Sequence, residues 1–109
     1  MRVFKFLIFA VMLTALSACA GKFQTYTGPE VTKVIVEKER RMMHLLHHDK
    51  VLRSYTIGLG FAPNGHKTRQ GDGRTPTGHY VINRRNPNSK FHLSIGISYP
   101  NANDLARAR

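Results

Sequence analysis

The segment Phe91-His-Leu-Ser-Ile-Gly-Ile-Ser-Tyr99 decides the fold of this chain. Apolar and polar residues alternate along it without interruption, and the apolar set is Phe91, Leu93, Ile95, Ile97 and Tyr99. A period of two is typical of a strand that has one face on a core and the other in water. The segment therefore predicts a half-buried β-strand. Pro100 should end it, because proline has no N–H to donate to a sheet.

The residues on either side of this strand predict a short helix after it and a loop before it. Asn101–Asp104 supplies helix-capping residues, and a helix is expected to begin at Asp104 and to run to Arg109. Leu59–Thr77 has no periodicity and contains several glycines and prolines, which indicates a long loop. Between this loop and the strand, His79–Asn83 predicts a short strand and Arg84–Lys90 predicts a basic, polar turn.

Three strands joined by short turns are predicted before the long loop. Val31–Glu37 is rich in β-branched residues, and Met42–His48 and Val51–Gly58 follow it. Lys38–Arg41 and Asp49-Lys50 are polar and predict the turns between them. A helix running from the first turn through Met42–His48 is the alternative, but turn residues recur at hairpin spacing and favour the strand. The predicted fold is mainly β.

The first residues of the chain are typical of an export signal. Arg2 and Lys5 precede an apolar run that is too short to cross a bilayer as a helix. Leu16-Ser-Ala-Cys19 follows and resembles the lipobox of bacterial lipoproteins, in which the cysteine carries a lipid. We therefore expect residues 1–18 to be a lipoprotein signal peptide and Cys19 to be lipidated. The alternatives are a core helix or short anchor, and an ordinary signal cleavage with Cys19 incidental.

The expected domain organisation follows from that reading. Residues 19–30 are small, polar and broken by Gly and Pro, as in a tether, and residues 31–109 form the domain. We expect an exported, membrane-anchored lipoprotein that faces the periplasm or the cell wall. Cys19 is the only cysteine, so no disulfide can form within the chain.

The chain is strongly basic, with a formal net charge of +11. In the cytosol such an excess would suggest nucleic acid as the partner. Export and the lack of basic residues interleaved with aromatics disfavour that partner. The basic surface is expected to hold the protein near anionic components of the cell envelope, or else to be a solvated face without a specific partner.

Two patterns that could indicate a metal or a nucleotide, and one that would indicate a catalytic serine, are rejected. His44, His47 and His48 have the spacing of a metal cluster on a helix, but on a strand His47 faces away from the other two. No metal site is therefore predicted. Gly71–Gly78 is glycine-rich, but it leads into a strand and not into a helix that could bind phosphate. There is no Gly-x-Ser-x-Gly elbow, and we predict no cofactor.

Two strings of residues resemble one family when they are taken together. They are Gly71-Asp-Gly-Arg-Thr-Pro-Thr-Gly78 and Ile97-Ser-Tyr-Pro-Asn101, and Gly65-His-Lys67 and Asp104 fit the same pattern. The chain from about Val31 onward is similar to the L,D-transpeptidase catalytic domain of the YkuD type. The resemblance implies an incomplete L,D-transpeptidase-like β-sandwich, with an N-terminal signal helix and a short C-terminal helix.

The resemblance also implies a reaction. In this family a cysteine thiolate attacks the carbonyl of a diaminopimelate residue in a peptidoglycan peptide, a histidine acts as the base, and an amine or water accepts the acyl group. The family's His-Gly and Ser-x-Gly-Cys motifs have no counterpart in this chain. No catalytic residue is therefore carried over, and the chain is expected to be inactive alone.

Only one set of residues is predicted to lie on the substrate side. The resemblance places a loop there whose members are Gly71, Asp72, Arg74, Thr75, Pro76 and Gly78. A tight turn with only a scaffolding role is the alternative, in which glycines allow positive φ and Asp72 binds nearby backbone N–H groups.

Three explanations would account for the missing motifs: a fragment of a longer protein, a premature stop, or a short lipoprotein that binds the wall without catalysis. The functional alternatives to the transpeptidase are that non-catalytic binder and a family hydrolase that cleaves a diaminopimelate amide bond. An incomplete sandwich would bury little apolar surface, so we expect low stability.

Overall fold

The computed structural model of the protein describes residues 23–109. The predicted signal peptide at 1–18, its helix and the lipidation site Cys19 lie outside the described residues. Residues 23–30 contain no helix or strand, and Val31–Arg109 is a compact unit of its own. Within residues 23–109, no helix has the length and apolar character needed to cross a bilayer.

The first sheet has three antiparallel strands that follow one another along the chain. They are β1 (Lys33–Glu37), β2 (Met42–His47) and β3 (Lys50–Thr56), and β2 lies in the middle. All three predicted strands are confirmed, and the helical alternative for β2 is wrong. The second turn lies one residue earlier than predicted, at residues 48–49, where His48 adopts a left-handed φ of 52°.

The long loop was predicted correctly and extends further than expected. No strand or helix occurs between residues 57 and 81, so the strand predicted at His79–Asn83 does not begin until Ile82. Val81 is nevertheless tied to the second sheet, because its N–H donates to Ser98 Oγ (2.9 Å) and its carbonyl accepts from the Ser98 N–H (2.9 Å).

The second sheet is a two-stranded ribbon formed by β4 (Ile82–Ser89) and β5 (His92–Ile97). The polar turn predicted at Arg84–Lys90 is wrong, because residues up to Ser89 belong to β4 and only residues 90–91 form the turn. β4 is exposed along almost its whole length. Its sequence therefore has no need to alternate between apolar and polar residues. Pro87 lies where the register shifts between Asn86 and Ser89, a position at which a strand tolerates proline.

The strand predicted at Phe91–Tyr99 is confirmed as β5, but its apolar face is not half-buried. Leu93, Ile95 and Ile97 are 43%, 57% and 37% exposed. Among residues 23–109 only one apolar residue, Leu46 on β2, is buried. A complete sandwich would bury the inner faces of both sheets. The fold class is confirmed as mainly β, with two small sheets and a short helix.

The helix α1 spans Ala102–Arg107 and begins earlier than the predicted Asp104. Asn101 is the N-cap, and its side-chain oxygen accepts from the Asp104 N–H at 3.0 Å. In return, the Asp104 carboxylate accepts from the Asn101 N–H at 3.0 Å. This reciprocal pair is a capping box, which satisfies two backbone donors that a helix start leaves unpaired. The predicted capping role of Asn101–Asp104 is therefore confirmed, with Asp104 inside the first turn.

Candidate functional site

Asp72 holds the predicted substrate-side loop together. Its carboxylate accepts hydrogen bonds from Lys67 Nζ (2.8 Å) and from the backbone N–H groups of Thr68 (2.9 Å), Arg69 (3.1 Å) and Arg74 (3.0 Å). The hydrogen bond from Lys67 is the largest cause that holds the pKa of Asp72 far below its ordinary value, and the three backbone donors act in the same direction. The sequence-based expectation that Asp72 would bind nearby N–H groups is confirmed.

The glycines beside Asp72 are required by the backbone. Gly71 and Gly73 have φ values of 78° and 69°, which side chains other than glycine rarely adopt. Gly73 also lies so close to the ring of Phe61 that a Cβ at this position would be 2.6 Å from the ring. Its carbonyl accepts from the Ala62 N–H at 3.1 Å. The turn is therefore fixed both by its own conformation and by its contacts with Phe61 and Ala62.

Lys38, just after β1, connects the first sheet to two parts of the 57–81 loop. Its ammonium group donates to the carbonyl oxygens of Gly65 and Thr75, both at 2.8 Å, and to the Thr77 hydroxyl at 3.2 Å. An open cleft of about 650 Å³ lies beside this contact, between the β1–β2 turn and Pro63–Gly65. Three donors on one ammonium group can satisfy all three acceptors, so Lys38 sets the spacing between Gly65 and the Thr75–Thr77 segment.

His66 connects the loop to the helix. The Thr77 N–H donates to His66 Nδ1 at 2.8 Å, so Nδ1 acts as the acceptor in this arrangement. His66 Nε2 lies 2.9 Å from the Asp104 carboxylate and acts as the donor. In this arrangement the Nε2–H bond points at the Asp104 carboxylate. The side chain is about one-fifth exposed.

Asp104 is the buried centre of a second network. Its carboxylate accepts from Tyr80 Oη at 3.0 Å, in addition to the bonds from Asn101 and His66, and Arg107 lies 3.6 Å away. Burial raises the pKa of Asp104, but the hydrogen bonds from Asn101, Tyr80 and His66 outweigh this effect and lower it overall. The pKa of Tyr80 is raised, first by burial and then by its bond to Asp104.

Tyr99 completes the attachment of the loop to the end of β5. Its hydroxyl donates to the Lys67 carbonyl at 3.1 Å. Its ring makes edge contacts with the rings of His66 and Tyr80, with centroid distances of 6.2 and 6.0 Å. The 57–81 loop is thus held by Lys38 just after β1, by Tyr99 just after β5 and by Asp104 on α1.

The predicted site residues all lie in one segment of the 57–81 loop. Gly71, Asp72 and Arg74 form the tight turn, Thr75 supplies a carbonyl to Lys38, and Pro76 and Gly78 lead toward Tyr80. Arg74 is exposed, and its guanidinium group forms no salt bridge with any residue in the range 23–109. It is therefore a cation that a ligand carboxylate could reach.

A separate polar network crosses the first sheet. His44 Nδ1 lies 2.7 Å from Ser54 Oγ, and His44 Nε2 lies 2.9 Å from the Glu37 carboxylate. The bond to His44 is the largest cause that lowers the pKa of Glu37. His47 and His48 instead contact each other, with a ring centroid distance of 4.4 Å. Within residues 23–109 no group of three metal-binding side chains converges.

The comparisons with known proteins identify the family. The YkuD family, described as the L,D-transpeptidase catalytic domain, matches residues 32–108. The chain belongs to the YkuD family. It is also similar to two proteins named "Putative L,D-transpeptidase YafK", from Escherichia coli strain K12 and from Escherichia coli O157:H7.

The similarity to both YafK proteins is of the same extent. Each is 39% identical over 88 residues, which cover 76% of this chain and 36% of the relative. The chain therefore spans about a third of the length of the curated relatives that it matches. No solved structure matches it.

Sequence reasoning missed the roles of Lys38, His66 and Tyr80. Lys38 reaches acceptors that lie 27 to 39 residues further along the chain, and Tyr80 reaches an acceptor 24 residues away. No periodicity or local motif connects residues at such separations. The motif Gly65-His-Lys67 was the one available signal, because it contains His66.

Proposed function

We propose that the chain takes part in L,D-transpeptidase-type acyl transfer on peptidoglycan peptides, with the Gly71–Gly78 loop on the substrate side. The observation that supports this proposal is the loop itself, in a chain of the YkuD family. Asp72 organises the turn from within, and Lys38 and Asp104 hold the two flanking segments. A site that must orient a peptide needs such a preorganised surface.

Arg74 is the residue assigned to substrate contact. Its guanidinium group is exposed and forms no salt bridge among residues 23–109, and a guanidinium binds a carboxylate through two parallel N–H donors. Peptidoglycan peptides carry free carboxylates, so Arg74 would orient the peptide. Asp72 is assigned to holding the turn and not to the substrate, because its carboxylate already accepts from five donors.

The proposal gives the single cysteine of the chain a different task. Cys19 is assigned to lipid attachment, with residues 19–30 as the tether of a lipoprotein that faces the periplasm or the wall. Under this assignment the attacking thiolate of the family reaction does not come from Cys19. Residues 31–109 bind and orient the peptide. The thiolate and its histidine base belong to the family's Ser-x-Gly-Cys and His-Gly motifs, which have no counterpart in this chain.

Substrate binding is tested with the full chain and a soluble stem peptide that contains diaminopimelate. We expect NMR shifts to concentrate in the amides of residues 65–78. Arg74→Ala should weaken binding roughly tenfold, the scale of one charge-assisted hydrogen-bond pair. The control variant is Arg53→Ala, which removes an exposed arginine from β3. Equal effects of the two variants, or shifts confined to other segments, would contradict the proposal.

The assignment of the thiolate is tested by incubating the full chain with peptidoglycan fragments and analysing the products by mass spectrometry. We expect neither joined nor cleaved peptides. Product formed by the chain unaided, and lost in Cys19→Ser, would show that the assignment of Cys19 is wrong. Binding to peptidoglycan without any turnover would agree equally with the second candidate, a non-catalytic wall-binding protein.

A further inference from the structure

His66 connects two parts of the chain through the two nitrogens of one ring. The Thr77 N–H donates to His66 Nδ1 at 2.8 Å, and His66 Nε2 lies 2.9 Å from the Asp104 carboxylate. We call this pair of bonds the His66 bridge. It joins residue 77, near the end of the Gly71–Gly78 loop, to the helix α1. Because both bonds use the same ring, a change in the charge of the ring acts on both.

The two bonds of the His66 bridge respond in opposite ways when the ring gains a proton. A neutral imidazole has one donor and one acceptor nitrogen, whereas a protonated imidazole has two donors. The hydrogen of a backbone N–H cannot turn away, so Nδ1 accepts from Thr77 only while Nδ1 carries no proton. The bond to the Asp104 carboxylate instead gains charge attraction when the ring is a cation. A proton on His66 therefore breaks one bond and strengthens the other.

The surroundings of the ring keep it on the side of the helix. The Asp104 side chain is 3% exposed, and its carboxylate is held in place by further hydrogen bonds from Tyr80 and from the Asn101 N–H. On the other side, the Thr77 hydroxyl accepts from an ammonium group at 3.2 Å, so a cation already lies there. The charged and titratable groups that face the bridge are Asp104 and Arg107 of α1, Tyr80 of the loop, Tyr99 after β5 and Lys38 after β1.

Only the end of the Gly71–Gly78 loop depends on the His66 bridge. Thr77 is exposed, so its N–H can bind water once Nδ1 no longer accepts. Gly78 follows with a φ of 148°, which side chains other than glycine rarely adopt. The tight turn is held separately by Asp72, through bonds in which His66 takes no part. Those bonds come from Lys67, Thr68, Arg69 and Arg74.

We propose that His66 is a positioning residue that responds to pH. The neutral ring holds residue 77 to α1, and the protonated ring stays with Asp104 and releases the Thr77 N–H. Imidazole is the side chain that ordinarily changes charge between about pH 5 and about pH 8. The proposal does not depend on what the Gly71–Gly78 loop binds, so it can fail while the proposed function stands, and the reverse.

The first test follows the full chain by NMR between about pH 8 and about pH 5. At the higher pH we expect nitrogen-15 shifts that show an unprotonated Nδ1 and a protonated Nε2 in His66, and at the lower pH two protonated nitrogens. Opening of the Thr77 bond takes up a proton, so it becomes easier as the pH falls. The protection factor of the Thr77 amide, corrected for intrinsic exchange, should fall by up to about tenfold for each pH unit.

The amides bound to Asp72 are the internal control of this experiment. They belong to Thr68, Arg69 and Arg74, and their protection should stay constant over the same range. This constancy separates the release of one bond from acid unfolding of residues 31–109.

A variant tests whether His66 is the group that takes up the proton. His66→Gln keeps a donor and an acceptor in its side-chain amide but does not titrate. We expect the pH dependence of Thr77 protection to disappear in this variant, whatever value the protection itself takes. The control is His79→Gln, which removes an exposed histidine two residues from Thr77 and should leave the pH dependence intact. The first test needs no variant and decides the question even where His66→Gln does not fold.

Four results would overturn the proposal. The first is a proton on Nδ1 of His66 in the folded chain at about pH 8. The second is a Thr77 protection factor that stays constant while His66 gains its proton. The third is a pH dependence of Thr77 protection that persists in His66→Gln. The fourth is a simultaneous loss of protection at Thr77 and at the amides bound to Asp72, which would assign the change to general unfolding in acid.

Discussion

Asp72 shows how one carboxylate can order a segment that has no regular secondary structure. Its two oxygens accept from one ammonium group and three backbone N–H groups, so the turn has few alternative conformations of similar energy. Its identity was predictable from sequence, because Gly-Asp-Gly is a turn signal with a local mechanism. The part played by Lys67 was not, since the ammonium group reaches the carboxylate only after the turn has closed.

We expect Asp72→Asn to loosen this turn. An amide presents one oxygen acceptor where the carboxylate presents two, so either the Thr68 and Arg69 N–H groups or the Arg74 N–H must lose its partner. Hydrogen exchange at these amides should accelerate roughly tenfold or more, as for the loss of a bond to a charged group. Asp49→Asn, in the β2–β3 turn, is the control and should leave these amides unchanged.

The pH dependence of the same amides follows from the lowered pKa of Asp72. Because the pKa of Asp72 is depressed in the folded state, the stabilising contribution of its carboxylate is fully present above pH 3.8, its ordinary pKa. That contribution is lost as the pH falls through the lower pKa of the folded state. Protection factors, corrected for intrinsic exchange, should stay constant from about pH 7 to about pH 4 and decrease only in stronger acid. A decrease that begins above pH 5 would argue against the Asp72 network.

At the scale of the elements, the β1–β2 turn and the long loop are coupled through Lys38. Lys38→Met keeps the length of the side chain but leaves the Gly65 and Thr75 carbonyls and the Thr77 hydroxyl without their donor. We expect a loss of about 1 kcal/mol in unfolding free energy, at the low end because the ammonium group is partly exposed. Denaturant titration measures this loss, and Lys50→Met on the edge of β3 should cost much less.

The helix α1 depends on its cap. Asn101→Ala removes the acceptor for the Asp104 N–H, which should cost about 1 kcal/mol. It should also increase hydrogen exchange at the Thr77 amide, because Asp104 would hold His66, the acceptor of that N–H, less well. Asn103→Ala alters a neighbouring asparagine in the same turn and is the control. If the two variants had equal unfolding free energies, the capping box would not hold the helix start.

The elements also show where sequence reasoning was sufficient. β1, β2 and β3 were predicted because their turns are local and polar, and α1 was predicted because Asn101 has a capping side chain. β4 was not predicted beyond Asn83. Its residues Arg84–Asn88 are exposed, so the strand there depends on pairing with β5. Asn86-Pro87-Asn88 favours a turn when read alone. The exposed face of β5 was missed for the same reason, since alternation indicates two faces but not what covers them.

For the whole molecule, the main feature is how little apolar surface is buried. Leu46 is the single buried apolar residue of the described chain, and Leu46→Ala should cost about 2–5 kcal/mol. That cost is comparable to the entire stability of a small domain. We therefore expect the variant to lose its cooperative thermal transition and to bind the dye ANS strongly.

The control for that variant is Leu105→Ala. Leu105 is 52% exposed on α1, so its truncation should change the unfolding free energy by no more than about 0.5 kcal/mol. Circular dichroism on heating compares the two variants directly. A cooperative transition in Leu46→Ala at the temperature of the parent chain would show that the first sheet does not depend on this side chain.

The distances along the chain that Lys38 and Asp104 bridge have a consequence for the order of folding. β1, β2 and β3 are neighbours in sequence, and such hairpins form in about 1–10 μs. The bond from Lys38 to Thr75 instead closes 37 residues, and contacts of that kind form later. A chain that emerges from its N-terminus onward can therefore complete the first sheet early, while the bonds from His66 and Tyr80 to Asp104 form only after residue 104 has emerged.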